Sequence, residues 1–337
     1  MTEYRIFNEI RIFSGERSLH ALFNNSSIKA LDTKDRFKVA FSLREVSPQQ
    51  RRAYELLLKD EDSMKTFSQT CRNLYEKILK ISRPEKILLI AILRSGLLIS
   101  ETLNYLADKN GATKFQIIGL TPNYINSINI DRFKNFILNT TRIPIFVDSW
   151  CSDGITFNVI KNFWHNLFPK KEFRYAVASN ISKIEDLGLI YATKTDMLFP
   201  WSIAITDQTG LSNFFLDRDA NRSATFYLSP EKRQLETNGK LYDYIHSYPN
   251  NEFSNDEVWK NCFHSNNLLI KGAKWGINET IKAIEKGEAI EVLVDVSVPK
   301  KILEILSLYK EAYGIKLKIE NNVCRQGVHC AVIRKSF

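Results

Sequence analysis

The chain has 337 residues, of which 44% are hydrophobic and 25% are charged. This length is sufficient for two separate cores, and the mixed composition excludes an intrinsically disordered chain. The formal net charge of +9 favours an anionic partner such as nucleic acid, although lysines scattered over the surface give the same total.

The first residues, MTEYRIFNEIRIFSGER, contain charges in every turn and no continuous apolar run. This pattern predicts neither a signal peptide nor a membrane-spanning helix. The five cysteines are odd in number and contain no C-x-x-C pair, which speaks against a disulfide framework and a structural zinc site. We therefore expect a cytoplasmic protein with no membrane partner and no structural metal.

The predicted elements begin after about 35 polar, irregular residues. Helical spacing without internal Gly or Pro predicts two helices between Gln49 and Ile81. Strands and helices then alternate. The predicted strands cover 86–93, 115–120, 143–148, 175–178 and 201–206, and the intervening helices cover the stretch up to Gly111, 131–138 and 156–168.

Strands that are apolar throughout and alternate with helices are typical of a parallel sheet with helices on both faces. Ligands of such sheets bind at the carboxyl ends of the strands. Those ends predict a site formed by Arg94, the loop 123–129 and the loop 148–156.

A polar stretch rich in Pro, Asn and Ser predicts a linker over 229–262, which separates a first domain over 1–228 from a second over 263–337. In the second domain we expect a short strand at 268–270, a helix at 278–286, a strand at 290–295, a helix between Pro299 and Gly314, and strands at 315–320 and 330–334. The predicted fold class is α/β, a parallel sheet followed by a small α-β-α sandwich.

The loop after the third strand of the sheet has the composition of an anion site. Asp148 lies at a strand end, and a turn of small residues from Ser152 to Gly154 comes shortly before the helix predicted to start at Thr156. Such a turn directs backbone N–H groups at one point, and the helix N-terminus adds roughly half a positive charge. The loop is therefore predicted to hold a phosphate, with Asp148 accepting hydrogen bonds from ribose hydroxyls.

This segment resembles the phosphoribosyl-pyrophosphate loop of type I phosphoribosyltransferases. It is most similar to the StiP-type, or orthologous, phosphoribosyltransferase (PRTase) family of bacterial tellurite-resistance and stress clusters, whose loop reads V-D-G-W-T-G-K-G. Val147-Asp148, Trp150 and Gly154 match that pattern, and the likeness spans roughly residues 35–220. The resemblance implies a phosphoribosyltransferase-like sheet that binds phosphoribosyl pyrophosphate with Mg²⁺.

Residue roles follow from the same resemblance. Asp148 and Arg94 are implied to be catalytic, with Arg94, Ser95 and Gly96 in the place of the pyrophosphate loop. The residues implied to hold the phosphoribosyl donor are Ser95, Gly96, Ser152, Asp153, Gly154, Ile155 and Thr156.

Three features depart from the pattern of active members. Ser149 replaces a second acid, Asp153 places a carboxylate inside the phosphate loop, and the loop 123–129 contains no basic residue. One alternative is that Ser149 to Gly154 is an ordinary strand-to-helix turn, with Asp153 serving as a helix N-terminal acid. Another is a cysteine nucleophile at Cys151, but no histidine lies in the neighbouring strand-end loops to serve as its base.

The second domain contains the pattern G-x-N-E-x-x-K, from Gly276 to Lys282, preceded by Lys274. Asn278 has the character of a helix N-cap, and Lys282 follows it by one turn on the same face. An amide, a carboxylate and an ammonium group projecting together suit the base edges and phosphates of structured RNA. The alternative is a plain capped helix with a solvated lysine.

This pattern and the order of the elements after it resemble the Pelota and kink-turn-binding ribosomal protein superfamily. The resemblance implies RNA contacts by Lys274, Gly276, Asn278, Glu279 and Lys282. We therefore predict a phosphoribosyltransferase-like protein that acts on a base or nucleotide and recognises structured RNA. The alternative is a non-catalytic nucleotide sensor or effector of a stress or antiphage system. Homo-oligomerisation is left open.

Overall fold

The structure is a computed structural model. It describes residues 5–6, 10–13, 46–120, 130–182, 184–205, 211–217, 222–228, 241–242, 244–245, 273–285, 287–321 and 328–334. For 5–6, 10–13, 211–217 and 222–228 only the backbone is described. The predicted loop 123–129 and the predicted strand 268–270 lie outside these residues.

The first half of the chain is built on a sheet in which all strands run parallel. Its strands are β1 (Arg5–Ile6), β3 (Ile87–Ile92), β4 (Gln116–Leu120), β5 (Ile143–Cys151), β6 (Tyr175–Asn180) and β7 (Leu189–Thr193), in the order β1-β4-β3-β5-β6-β7. The predicted parallel sheet is confirmed. Every residue of β3 is buried, because side chains on both of its faces meet helices.

In the described part of the chain, five helices accompany this sheet: α1 (Pro48–Leu58), α2 (Glu61–Leu79), α3 (Ser95–Lys109), α4 (Ile130–Asn139) and α5 (Ile155–Leu167). Ser47 starts α1 with a capping box, in which its hydroxyl accepts from the Gln50 N–H and the Gln50 side chain accepts from the Ser47 N–H. Alternate residues of β3 point to different cores. Leu89 packs in the core with α1, α2 and α3, and Leu88 packs in the core with α4 and α5.

A second, three-stranded sheet contains β2 (Ile10–Phe13), β8 (Leu211–Asp217) and β9 (Arg222–Leu228) in the order β2-β9-β8. β2 pairs with β9 in parallel, and β8 pairs with β9 in antiparallel orientation. The first 35 residues were predicted to be irregular, but β1 and β2 lie there because each pairs with a strand far along the chain.

The C-terminal unit, residues 273–334, contains a mixed four-stranded sheet and two helices. Its elements are β10 (Ala273–Trp275), α6 (Ile277–Glu285), β11 (Ala289–Asp295), α7 (Lys300–Tyr313), β12 (Lys316–Glu320) and β13 (Cys330–Arg334), with sheet order β10-β13-β11-β12. Both helices bury their apolar residues in the core that receives Val292 and Val332. A sandwich with helices on both faces was expected, whereas the described part of the unit has helices on one face.

The region around the parallel sheet, called the first half, and the C-terminal unit, called the second half, share one continuous hydrophobic core. α7 packs against α1, and the apolar residues of α6 and α7 belong to the same cluster as those of α1 and α2. Part of the predicted linker joins this cluster, since Leu241 and Ile245 are buried there and the Ile245 carbonyl accepts a hydrogen bond from Ser68 Oγ at 3.3 Å. The described part of 229–262 is therefore packed rather than extended.

The predicted strand at 201–206 is wrong over its described part. Pro200–Ser202 forms a 3-10 turn, in which the Ser202 N–H donates to the Phe199 carbonyl at 2.8 Å. Pro200 has a fixed φ and no N–H, which favours the start of a helical turn over a ladder of strand hydrogen bonds. Among the described residues, no helix is both long and apolar enough to cross a membrane.

Candidate functional site at the strand ends

The order of the sheet reverses between β3 and β5, and the position between the ends of these two strands is called the crevice here. The connection from β3 leads to β4 on one side, and the next strand, β5, lies on the other side of β3. Such a reversal of strand order is where open α/β sheets bind ligands. Arg94 and Ser95 follow β3 at this point, and Asp148 lies near the end of β5, so the predicted strand-end residues of the two strands are brought together.

Ser95 and Asp148 are in direct contact, with Ser95 Oγ 2.6 Å from Asp148 Oδ1. Gly96 makes this contact possible. A Cβ atom at Gly96 would lie 2.2 Å from the carbonyl oxygen of Val147, so any other residue would push α3 away from β5. The Leu93–Arg94 peptide bond that precedes this turn is cis.

Asp148 is a buried carboxyl group with several donors around it. It also accepts from the Ser149 N–H at 2.7 Å, and the Tyr175 hydroxyl lies 3.4 Å from its second oxygen. Burial raises the pKa of Asp148 to about 6, against the opposing effect of Ser95, the Ser149 amide and the charge of Lys282. This carboxyl group can thus change its protonation state near neutral pH.

The predicted phosphate loop is partly occupied by its own side chain. Asp153 is exposed, and its Oδ1 accepts the N–H of Ile155, the first residue of α5, at 3.0 Å. Gly154 has a φ of 78°, and a Cβ there would lie 2.2 Å from Ile184 Cδ1. The arrangement is the one expected for a helix N-terminal acid, so the Ile155 amide is not open to a phosphate in this conformation. Ser152 is buried and Thr156 is half-buried.

The C-terminal unit docks directly on this crevice. Glu279 of α6 is buried and accepts from Trp150 Nε1, on β5, at 3.1 Å. The same carboxylate is paired with Lys274 Nζ at 2.9 Å and Lys282 Nζ at 3.2 Å. Burial raises the pKa of Glu279, but the two ammonium groups outweigh that effect and hold the pKa far below its ordinary value.

Asn278 binds the backbone of the first half. Its Oδ1 accepts from the Phe199 N–H at 3.1 Å and from Ser202 Oγ at 2.7 Å, and its Nδ2 donates to the Met197 carbonyl at 2.7 Å. The residue was predicted to be a helix N-cap. The structure corrects this, because α6 begins at Ile277, whose N–H donates to Asp196 of the first half.

The residues predicted to contact RNA therefore lie at the junction of the two halves. Asn278 is 3% exposed and Glu279 is 7% exposed. Gly276, with a φ of 98°, is so close to Ile181 that a Cβ would lie 2.5 Å from its Cδ1. The expectation that these groups project together from the surface is corrected, since only the side chains of Lys274 and Lys282 in this set are even partly exposed, at 27% and 34%. Their RNA role stays a prediction.

Other residues of the junction were missed. Glu285 Oε1 accepts from Gln50 Nε2 at 2.9 Å, from the Ala204 N–H at 3.0 Å and from the Tyr309 hydroxyl at 2.8 Å. Burial raises the pKa of Glu285 against the opposing effect of these three hydrogen bonds and the smaller effect of the Arg94 guanidinium. The partners are as much as 235 residues apart in the chain, so no local pattern could indicate them.

The structure argues against a cysteine nucleophile. Burial raises the pKa of the Cys151 thiol to about 11, which leaves almost no thiolate at neutral pH. In the part of the chain that the structure describes, no three His, Cys, Asp or Glu side chains converge as metal ligands.

Comparisons with protein-family models, with curated proteins and with solved structures gave no match. The structure itself shows an α/β fold with a parallel sheet, followed by a small mixed sheet. The resemblance to the phosphoribosyltransferase and kink-turn-binding families depends on the sequence motifs alone.

Proposed function

We propose that the first half has a type I phosphoribosyltransferase-like fold and binds a phosphoribosyl donor or a nucleotide in the crevice between β3 and β5. The observation that carries the proposal is the 2.6 Å contact between Ser95 and Asp148. It joins the ends of two neighbouring parallel strands at a reversal of strand order, the position at which such sheets bind nucleotides. Arg94 precedes Ser95 in the chain and supplies a cation at the end of β3.

In this proposal Asp148 receives the ribose hydroxyls. A hydroxyl of the ligand replaces the Ser95 hydroxyl on Asp148 Oδ1, or approaches Oδ2, whose described contact with Tyr175 is long at 3.4 Å. Arg94 faces the pyrophosphate. The segment from Ser152 to Thr156 holds the 5′-phosphate after Asp153 releases the Ile155 amide.

The proposed chemistry is transfer to or from the anomeric carbon of the ribose. Catalysis then consists of stabilising the leaving pyrophosphate while positive charge develops on the sugar, so it depends on placed cations rather than on a nucleophile. Asp148 can offset the sugar charge only when it is ionised. Its raised pKa of about 6 means that activity should fall below that pH.

The described residues fit Mg²⁺ only as an ion that arrives with the phosphates. Asp148 is a single buried carboxylate, and Mg²⁺ is commonly held by one or two carboxylates together with substrate phosphates. When bound, the ion would neutralise charge on the pyrophosphate. The role of the chain is to present Asp148 and to keep it oriented through Ser95 and the Ser149 amide.

Calorimetry with phosphoribosyl pyrophosphate and Mg²⁺ tests the proposal. We expect the wild type to bind and Asp148→Asn to bind at least about tenfold more weakly, since a charge-assisted hydrogen bond is lost. Asp108→Asn is the matched control, because Asp108 is 61% exposed on α3, paired with Lys114. Absence of binding by the wild type would refute the donor assignment.

A non-catalytic nucleotide sensor is the second candidate. The occupied Ile155 amide and the C-terminal unit docked on Trp150, two residues after Asp148, favour a site that binds without turnover. Pyrophosphate release from the bound donor, with candidate bases present, distinguishes the two functions. Release at a measurable rate supports the enzyme, and binding without release supports the sensor.

Structured RNA is the proposed macromolecular partner, in a cytoplasmic stress or antiphage role. The full chain should bind a kinked RNA with G·A pairs more tightly than the same RNA with those pairs changed to Watson–Crick pairs. Equal affinity for the two RNAs would contradict the resemblance to kink-turn-binding proteins.

A further inference from the structure

We infer that the C-terminal unit completes the strand-end site by supplying its cations, and that Lys274 and Lys282 bind a pyrophosphate or polyphosphate group there. The identity of the whole ligand rests on the proposed function. The anion site itself follows from the contacts of α6 and β10.

Glu279 holds the two lysines in fixed positions. Lys274 Nζ contacts one of its oxygens and Lys282 Nζ contacts the other, while the Trp150 indole also donates to the oxygen that Lys282 contacts. Two ammonium groups on one carboxylate leave a net charge of +1. Because Glu279 is buried and both lysine side chains are partly exposed, the excess charge is directed toward solvent.

The pair is close enough to the strand-end groups of the first half to interact with them electrostatically. Lys282 is near enough to Asp148 for its charge to lower the pKa of that carboxyl. Burial lowers the pKa of Lys274, but Glu279 outweighs this effect and raises it, and Asp153 adds a smaller effect in the same direction. The Trp150 contact anchors the whole arrangement to β5. The two cations thus stand beside the residues proposed to hold the ribose and its 5′-phosphate.

The sequence places little positive charge in the three strand-end loops of the first half. Among the residues that follow β3, β4 and β5 before the next helix, 93–94, 121–129 and 152–154, Arg94 is the single Lys or Arg in the sequence. A phosphoribosyl pyrophosphate brings several negative charges, and proteins bind such groups with several Lys and Arg donors. Lys274 and Lys282 supply two further cations from the other half of the chain.

The test uses calorimetry of the full chain with inorganic pyrophosphate at low salt. We expect Lys282→Met and Lys274→Met each to weaken binding about tenfold or more. Lys282→Arg should retain most of the affinity because it retains the charge. Lys310→Met is the matched control, since Lys310 is an exposed lysine on α7 of the same unit.

A second variant guards against loss of folding. Lys282→Met leaves Glu279 with one fewer cation, so Glu279→Gln/Lys274→Met/Lys282→Met removes the buried carboxylate together with both of its partners, and the net charge of the three groups falls from +1 to zero. Its melting temperature should stay near that of the wild type while pyrophosphate affinity falls. Wild-type affinity in this folded triple variant would overturn the inference.

The outcomes separate this inference from the proposed function. If phosphoribosyl pyrophosphate binding depends on Asp148 but pyrophosphate binding is unaffected by both lysine variants, the donor site stands and the lysine site is refuted. If the wild type does not bind phosphoribosyl pyrophosphate but binds pyrophosphate in a manner that depends on Lys282, the anion site is supported and the donor assignment is refuted.

Discussion

Asn278→Ala should destabilise the whole protein, because its side chain joins the two halves. The amide makes three hydrogen bonds and is 3% exposed. Alanine cannot replace them, and the buried Phe199 N–H and Met197 carbonyl lose these partners. Each unsatisfied buried group costs about 1–3 kcal/mol, so the expected loss in unfolding free energy is roughly 2–6 kcal/mol. The Ser202 hydroxyl can rotate toward another acceptor and adds little.

Urea unfolding followed by tryptophan fluorescence measures this loss. Asn139→Ala is the matched control, because Asn139 is an exposed asparagine whose side chain bonds only its own helix, at the Asn135 carbonyl 2.8 Å away. The control should change stability by less than about 0.5 kcal/mol. A loss below about 1 kcal/mol in Asn278→Ala, together with weakened RNA binding, would refute the docking role and support an RNA contact instead.

Two further predictions concern the crevice. Gly96→Ala should lower the free energy of unfolding by at least about 2 kcal/mol, because the new Cβ would lie 2.2 Å from the Val147 carbonyl oxygen, a backbone atom that cannot rotate away. Gly111→Ala, with a φ of 67° and no atom within 4 Å of the new Cβ, should lower it by about 1 kcal/mol. Thermal denaturation compares the two variants, and equal losses would show that α3 can shift freely. The pKa of Asp148 is raised from 3.8 to about 6, so the folded state holds this proton more tightly than the unfolded state, and its contribution to stability is lost as the pH rises through that window. Asp148→Asn should therefore gain stability relative to the wild type, by roughly 3 kcal/mol, between about pH 4 and pH 7, and a difference that does not vary with pH in urea unfolding would contradict the buried carboxyl.

The parallel sheet could be predicted because its strands are apolar on both faces. Ile87–Ile92 carries no alternation of polar and apolar residues, and the structure buries all six residues. The predicted ends of these strands also led to the prediction that Arg94 and Asp148 lie at neighbouring strand ends. Gly96 was included through the family resemblance, and its physical reason, the closeness of Val147, required coordinates.

The docking of the two halves could not be predicted, because periodicity gives the phase of a helix but not what packs on it. Asn278 and Glu279 have the polar character of solvent-facing residues, yet partners from the first half bury both. The true acceptor for the first amide of α6, Asp196, lies 81 residues upstream. Trp201 to Ile205 has the composition of a strand, and Pro200 starts a turn there instead.

The shared core makes isolated fragments of this chain unsuitable for binding assays. A fragment that begins near residue 263 would expose the apolar side of α7 that α1 covers in the intact chain, together with Ile277 and the Asn278 amide. Such a fragment would bind many molecules non-specifically, and any RNA bound to it could contact a surface that is buried in the intact protein. Truncation within 229–262 should therefore expose part of the shared core in both fragments. Binding or activity measured on either fragment alone would not represent the intact protein.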